Sequence, residues 1–181
     1  PMNPVINIRS FGEDRENVTR KAAAYAQGMQ DEGVAAVAKH FPGHGDTHAD
    51  SHKTLPVLDH NRARIDSIEF YPFRRLAQSG IAGIMTAHLH VPAYDTENRP
   101  STLSEKLIKT QLRDKLKFEG LVVTDAMNMK GVTLPAGKAE VQALIAGNDL
   151  LEFVPNVPLA IKAIRTAIDE KKLTLDEIDQ K

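Results

Sequence analysis

Short apolar runs alternate with amphipathic stretches along this chain. VAAVAKHF (34–41) follows a stretch that closes on GMQDEG (28–33), and GIAGIMTAH (80–88) follows IDSIEFYPFRRLAQS (65–79). FEGLVVTDA (118–126) follows SEKLIKTQLRDKLK (104–117), and AGNDLLEF (146–153) follows a helical pattern from Lys138 to Ala146. The runs are short, rich in small or β-branched residues, and lack strict polar alternation. They therefore predict strands buried on both faces. Helix and buried strand in alternation predict a parallel α/β sheet. PVINI (4–8) reads as a further, N-terminal strand. Ser104 suits a helix N-cap. VPLAIKAIRTAIDEKK (157–172) is apolar at helical spacing, and LTLDEIDQK looks like the opening of another helix.

Each polar cluster falls just after a predicted strand: RSFGED, KHFPGHGDTHADSH, AHLHVPAYD and TDAMNMKG. In α/β folds function gathers at the carboxyl ends of strands, and four clusters on successive units imply one shared rim. A complete barrel takes roughly 250 residues. The 181 residues supply about four βα units plus the N-terminal strand. The expected fold is thus a single domain over 1–181, a partial (β/α)8 barrel of the TIM type.

Composition narrows the partners. A net charge of −1 offers no pull toward nucleic acid or an anionic membrane. No apolar run is long enough to span a bilayer. PMNPVINIRS has neither a basic nor an apolar leader region. The chain has no cysteine, so disulfides and thiolate metal sites are excluded; this fits the cytoplasm without excluding export. Aromatic residues make up 5% and tryptophan is absent, which argues against a carbohydrate-binding module built on flat rings.

The densest chemistry lies in Lys39–His52. Pro42, Gly43 and Gly45 forbid a regular helix, so this is a loop that holds ionisable groups in irregular positions. His40, His44, His48 and His52 recur every fourth residue, a ligand stripe on a helix, but without the helix the spacing carries no coordinating geometry and no metal is expected. For His44 and His48 a hydrogen-bonding role within the loop is the simpler reading. His88 and His90 share a face if extended; either could line a pocket or be held structurally. Asp125 ends an apolar strand, at a rim where its ionisation can be tuned, or else it caps the next helix. Met127 could wall a sugar site, although packing is the default for methionine. Arg9 suits fork-like hydrogen bonding or a surface ion pair with Glu13 or Asp14.

KHFPGHGDTHADSH resembles the signature loop of glycoside hydrolase family 3, and more narrowly its β-N-acetylglucosaminidase branch, which is associated with peptidoglycan recycling. NPVINIRSFGED, FYPFRRL, IMTAHLHVP, PSTLSEKLIKTQLRDKLKFEGLVVTDAMNMKG and ALIAGNDLL look like family segments in family order. The resemblance implies Asp125 as nucleophile and His52 as general acid/base, with Asp50 as its dyad partner. Lys39, His40 and Arg9 would bind the sugar. The implied reaction is retaining hydrolysis of terminal β-linked N-acetylglucosamine from glycans or peptidoglycan fragments, with no cofactor. Family members carry barrel strands before NPVIN, including an acidic sugar-binding residue, so the chain is expected to be the C-terminal part of a catalytic barrel. The connection between Val132 and Glu140 is shorter than in the family, and Thr124 and Ala126 stand where many members have Ser and Asp. The resemblance fits a bacterial enzyme of cytoplasm or periplasm. Alternative readings are a β-glucosidase, an N-acetylglucosaminide phosphorylase, or a catalytically silent partial barrel that self-associates through open sheet edges.

Overall fold

The computed structural model describes residues 3, 6–47, 54–132 and 134–181. Three parallel strands form the sheet in sequence order: β1 (Val37–Phe41), β2 (Gly83–Thr86) and β3 (Leu121–Thr124). β2 and β3 pair in continuous register from Gly83 with Leu121 to Thr86 with Thr124. The β1–β2 register shifts between Ala38 and Phe41, where the chain enters the signature loop. The peptide bonds Lys39–His40 and Phe41–Pro42 are both cis. A parallel bridge from Val123 to Leu150 marks the fourth strand position, within AGNDLLEF. The result is a four-unit arc of a (β/α) barrel.

Helices cross over between the strands and cover one face of the arc. α1 (Arg15–Asp31) precedes β1; α2 (Arg62–Ser67) and α3 (Phe70–Gln78) join β1 to β2; a π-helix (Lys106–Lys115) joins β2 to β3. α4 (Lys138–Ala146) leads to Leu150, and α5 (Val157–Asp169) and α6 (Leu175–Asp179) follow. Several of their starts are set by side chains that accept backbone N–H groups otherwise left unbonded. Asp14 takes the Asn17 N–H at 2.8 Å, Asn61 that of Arg64 at 2.9 Å, and Asn156 that of Leu159 at 3.0 Å.

The core lies between sheet and helices. Phe41, Ile84 and Val122 from the strands meet Phe70, Phe73 and Leu76 of α3 and Leu107, Ile108 and Leu112 of the π-helix, all buried. Phe41 stacks on Phe70 and meets Phe73 edge-on, each with ring centroids 5.3 Å apart. The chain can enter β3 close beside β2 because Gly120 has no side chain: a Cβ there would lie 2.6 Å from the Ala82 carbonyl.

Three local expectations change. The stretch 65–79 divides into α2 and α3 because Pro72 has no N–H to give to the Ile68 carbonyl, so the helix restarts at Phe70. Within the stretch 104–117, Lys106–Lys115 winds as a π-helix. Ser104 contributes a long bond, 3.4 Å from the Leu107 N–H, and donates to Asp95 Oδ2 at 2.6 Å. The N-terminal strand is not found among the described residues, since Asn7–Arg9 forms a 3-10 turn. Residues 4 and 5 of that predicted strand lie outside the described residues; the Ile6 N–H donates to the Asn3 side-chain oxygen at 3.1 Å and the Asn7 N–H to the Asn3 carbonyl at 2.9 Å, local bonds that a strand would not make.

Candidate active site

The carboxyl ends of β1, β2 and β3 form one rim, and Asp125 stands on it. Three neighbours fix the turn that follows β3. The Asp125 N–H donates to the Thr86 carbonyl at 3.0 Å, the Ala126 carbonyl lies 3.1 Å from His88 Nε2, and the Met127 N–H donates to the Glu152 carbonyl at 2.8 Å. The Ala126 N–H in turn donates to Asp125 Oδ1 at 2.8 Å. The second oxygen, Oδ2, stays available at the rim; the side chain is 18% exposed and 3.8 Å from His40 Nε2.

Among the described residues His40 is the titratable partner of Asp125. Burial lowers its pKa from 6.5 to about 4, opposed by the Asp125 carboxylate and reinforced by the positive fields of Lys39, His44 and Arg9. The ring is therefore neutral near pH 7 and acts as a hydrogen-bonding group rather than as a cation. Lys39 and Arg9 supply the positive charge around it, and both are exposed. Asp125 and His40 thus face each other across the ends of β3 and β1, and the charges of Lys39 and Arg9 act on the His40 ring. A carboxylate beside a neutral imidazole can act as nucleophile while the imidazole holds a hydroxyl group.

The first half of the signature loop is built to stay in place. His44 is buried, with Nδ1 2.8 Å from Thr47 Oγ1, and Asn3 Nδ2 donates to Thr47 Oγ1 at 2.9 Å. This is the structural role that the sequence favoured for His44. Asp46 is 2.8 Å from His60 Nε2 and 3.2 Å from Arg64 Nη2, and Arg64 Nη1 reaches both oxygens of Glu69 at 2.6 and 2.7 Å. Gly43 has φ +138°, and a Cβ there would come within 3.0 Å of the Glu69 side chain. Asn3, Arg64 and Glu69 carry no signal in the sequence, where each is an unremarkable polar residue.

Asp50 and His52, read as the acid/base pair, lie outside the described residues, as does His48. The chain re-emerges at Thr54 and is tied to the rim by Val57 pairing with His90. Met127 does not wall the rim. It is 3% exposed and packs with Leu103, Ala139 and Ala143, because the grip on its N–H turns it inward from the strand tip. Among the described residues no group of three His, Cys, Asp or Glu side chains is placed to hold a metal ion, and no helix is long and apolar enough to cross a membrane.

The whole chain, residues 1–181, matches the description "Glycosyl hydrolase family 3 N terminal domain". It is 38% identical over 175 residues to a beta-hexosaminidase A of Pseudoalteromonas piscicida, covering 90% of this chain and 29% of that protein. A glycoside hydrolase family 3 beta-N-acetylglucosaminidase from Paenibacillus sp. str. FPU-7 superposes with a TM-score of 0.96 at 40% identity, over 99% of this chain and 35% of that one. A beta-glucoside phosphorylase, BglX, superposes with a TM-score of 0.94 at 31% identity, over 99% and 34%. The chain thus spans about a third of the length of these relatives.

Proposed function

Since the chain belongs to glycosyl hydrolase family 3, we propose that it carries the nucleophile-bearing part of the catalytic domain of a retaining β-N-acetylhexosaminidase that releases terminal β-linked N-acetylglucosamine. The observation that carries this reading is the meeting of Asp125 with His40, 3.8 Å apart at the strand ends; the charges of Lys39 and Arg9 act on the same imidazole. The names of its relatives support N-acetylhexosamine as the sugar.

Retention takes two displacements. Asp125 Oδ2 attacks the anomeric carbon, a bond forms to the sugar, and the bond to the leaving oxygen breaks. The leaving oxygen takes a proton from His52. In the second step His52 accepts a proton from water, the water oxygen bonds to the anomeric carbon, and the Asp125 carboxylate is released. Asp50 orients the His52 ring and stabilises it when charged, as a triad carboxylate does. Lys39, His40 and Arg9 hold the sugar hydroxyls. The roles of His52 and Asp50 rest on the signature loop in the sequence.

The test compares aryl N-acetylglucosaminides of different leaving-group acidity. Asp125→Ala abolishes turnover of all of them. His52→Ala cripples substrates with poor leaving groups far more than activated ones, and equal losses for the two would remove His52 as the acid. A second reading, phosphorolysis, is favoured by the similarity to the beta-glucoside phosphorylase. In that case phosphate replaces water in the second step, and turnover depends on phosphate concentration.

A further inference from the structure

We propose that His88 is the positioning residue of the nucleophile: its Nε2–H holds the turn that aims the Asp125 carboxylate. The inference rests on the reading of Asp125 as the attacking group and adds a residue that touches no substrate. His88 is fully buried and lies beyond the end of β2, on the strand beside Asp125. A carbonyl oxygen can only accept, so the 3.1 Å contact with the Ala126 carbonyl places a proton on Nε2.

The ring cannot swing away from this contact. Its Nδ1 is 3.0 Å from Thr102 Oγ1, and Thr102 is itself pinned: its hydroxyl lies 2.9 Å from the Ala87 carbonyl and its carbonyl accepts from Asn148 Nδ2 at 2.8 Å. Asn148 Oδ1 accepts from Thr86 Oγ1 at 2.9 Å, which closes the network onto the end of β2. All of these side chains are buried.

The consequence reaches the nucleophile through one peptide unit. The Ala126–Met127 peptide is gripped at its oxygen by His88 and at its nitrogen by the Glu152 carbonyl. With that plane fixed, the preceding N–H, of Ala126, points at Asp125 Oδ1 and leaves Oδ2 for attack. Without His88 the Ala126 carbonyl keeps only the Met129 N–H, at 3.1 Å and within the same turn, and loses its tie to the segment beyond β2. Misplacement of a reacting group by about 1 Å is enough to lower a rate on the order of a hundredfold.

Three variants of the protein test this. His88→Leu removes the donor, His88→Gln keeps an N–H able to reach the Ala126 carbonyl, and Asp125→Ala reports on the underlying reading. The expected result is a fall in kcat of about a hundredfold for His88→Leu with KM little changed, recovery to within about tenfold of wild type in His88→Gln, and melting temperatures alike for the two. Equal kcat in the Leu and Gln variants, or a loss expressed in KM, overturns the positioning role. Activity surviving in Asp125→Ala overturns the nucleophile reading instead. If His88→Leu does not fold, His88→Asn, whose amide is too short to reach, takes its place in the same comparison.

Discussion

Arg64 holds the floor of the signature loop, and replacing it by methionine isolates what its charge contributes. The guanidinium meets both oxygens of Glu69 at 2.6 and 2.7 Å and Asp46 at 3.2 Å. The Glu69 side chain is 6% exposed and that of Arg64 35%. Burial raises the Glu69 carboxyl above its ordinary 4.5, although Arg64 draws it down. Arg64→Met keeps most of the apolar stem and leaves a buried carboxylate without its guanidinium. Removing one partner of a fully buried pair costs about 3–5 kcal/mol; because water reaches the half-open Arg64 side, we expect less, about 2–3 kcal/mol at pH 7. The pH dependence follows from the sign of the shift. An acid whose folded pKa lies above its unfolded value favours the fold when protonated and opposes it when ionised. The deficit of the variant is therefore full near pH 7 and shrinks as the pH falls toward the carboxylate range. Urea unfolding of wild type, Arg64→Met, Glu69→Gln and the double variant, at pH 7 and pH 5, measures it. Glu69→Gln on the Arg64→Met background restores more than half of the loss. A deficit below about 1 kcal/mol, the scale of an exposed pair, or one unchanged between the two pH values, refutes the reasoning.

Two further outcomes follow from the same physics. Phe41 is fully buried against Phe70 and Phe73, so Phe41→Ala costs about 3–5 kcal/mol, read as a lower urea midpoint; a loss under about 1 kcal/mol would place the core elsewhere. His40 has a folded pKa of about 4 against 6.5 unfolded, so the unfolded chain binds the extra proton between these values. Stability contributed by His40 is then full above pH 6.5 and falls by about 3 kcal/mol as the pH drops to 4, and His40→Gln flattens this slope in pH-dependent unfolding; an unchanged slope would show that the ring is not held neutral.

The sequence by itself determined the class of the fold and that its polar clusters fall at strand ends. Alternating buried runs and amphipathic helices leave few arrangements other than a parallel sheet with crossovers, and α4 lies where its periodicity put it, from Lys138 to Ala146. Asp125 at the end of an apolar strand and Lys39–His40 at the end of another were legible because strand ends in such a sheet share one rim. Where local signals conflicted with backbone bonding, the sequence misled. Pro72 broke a helix that periodicity had joined, and Asn7–Arg9 forms a 3-10 turn, with Asn3 accepting the Ile6 N–H, where apolar residues suggested a strand.

Only the tertiary structure decided which polar residues face the rim and which support it. His40 and His44 are four residues apart in one loop, yet one lies beside Asp125 and the other is locked by Thr47. Met127 is two residues from Asp125 but packs in the core, and His88, 37 positions upstream of Asp125, bonds the turn beside it. Spacing along a chain fixes the direction of a side chain only where the backbone repeats. In loops and turns that direction is set by hydrogen bonds to distant residues, and those partners exist only once the chain has folded.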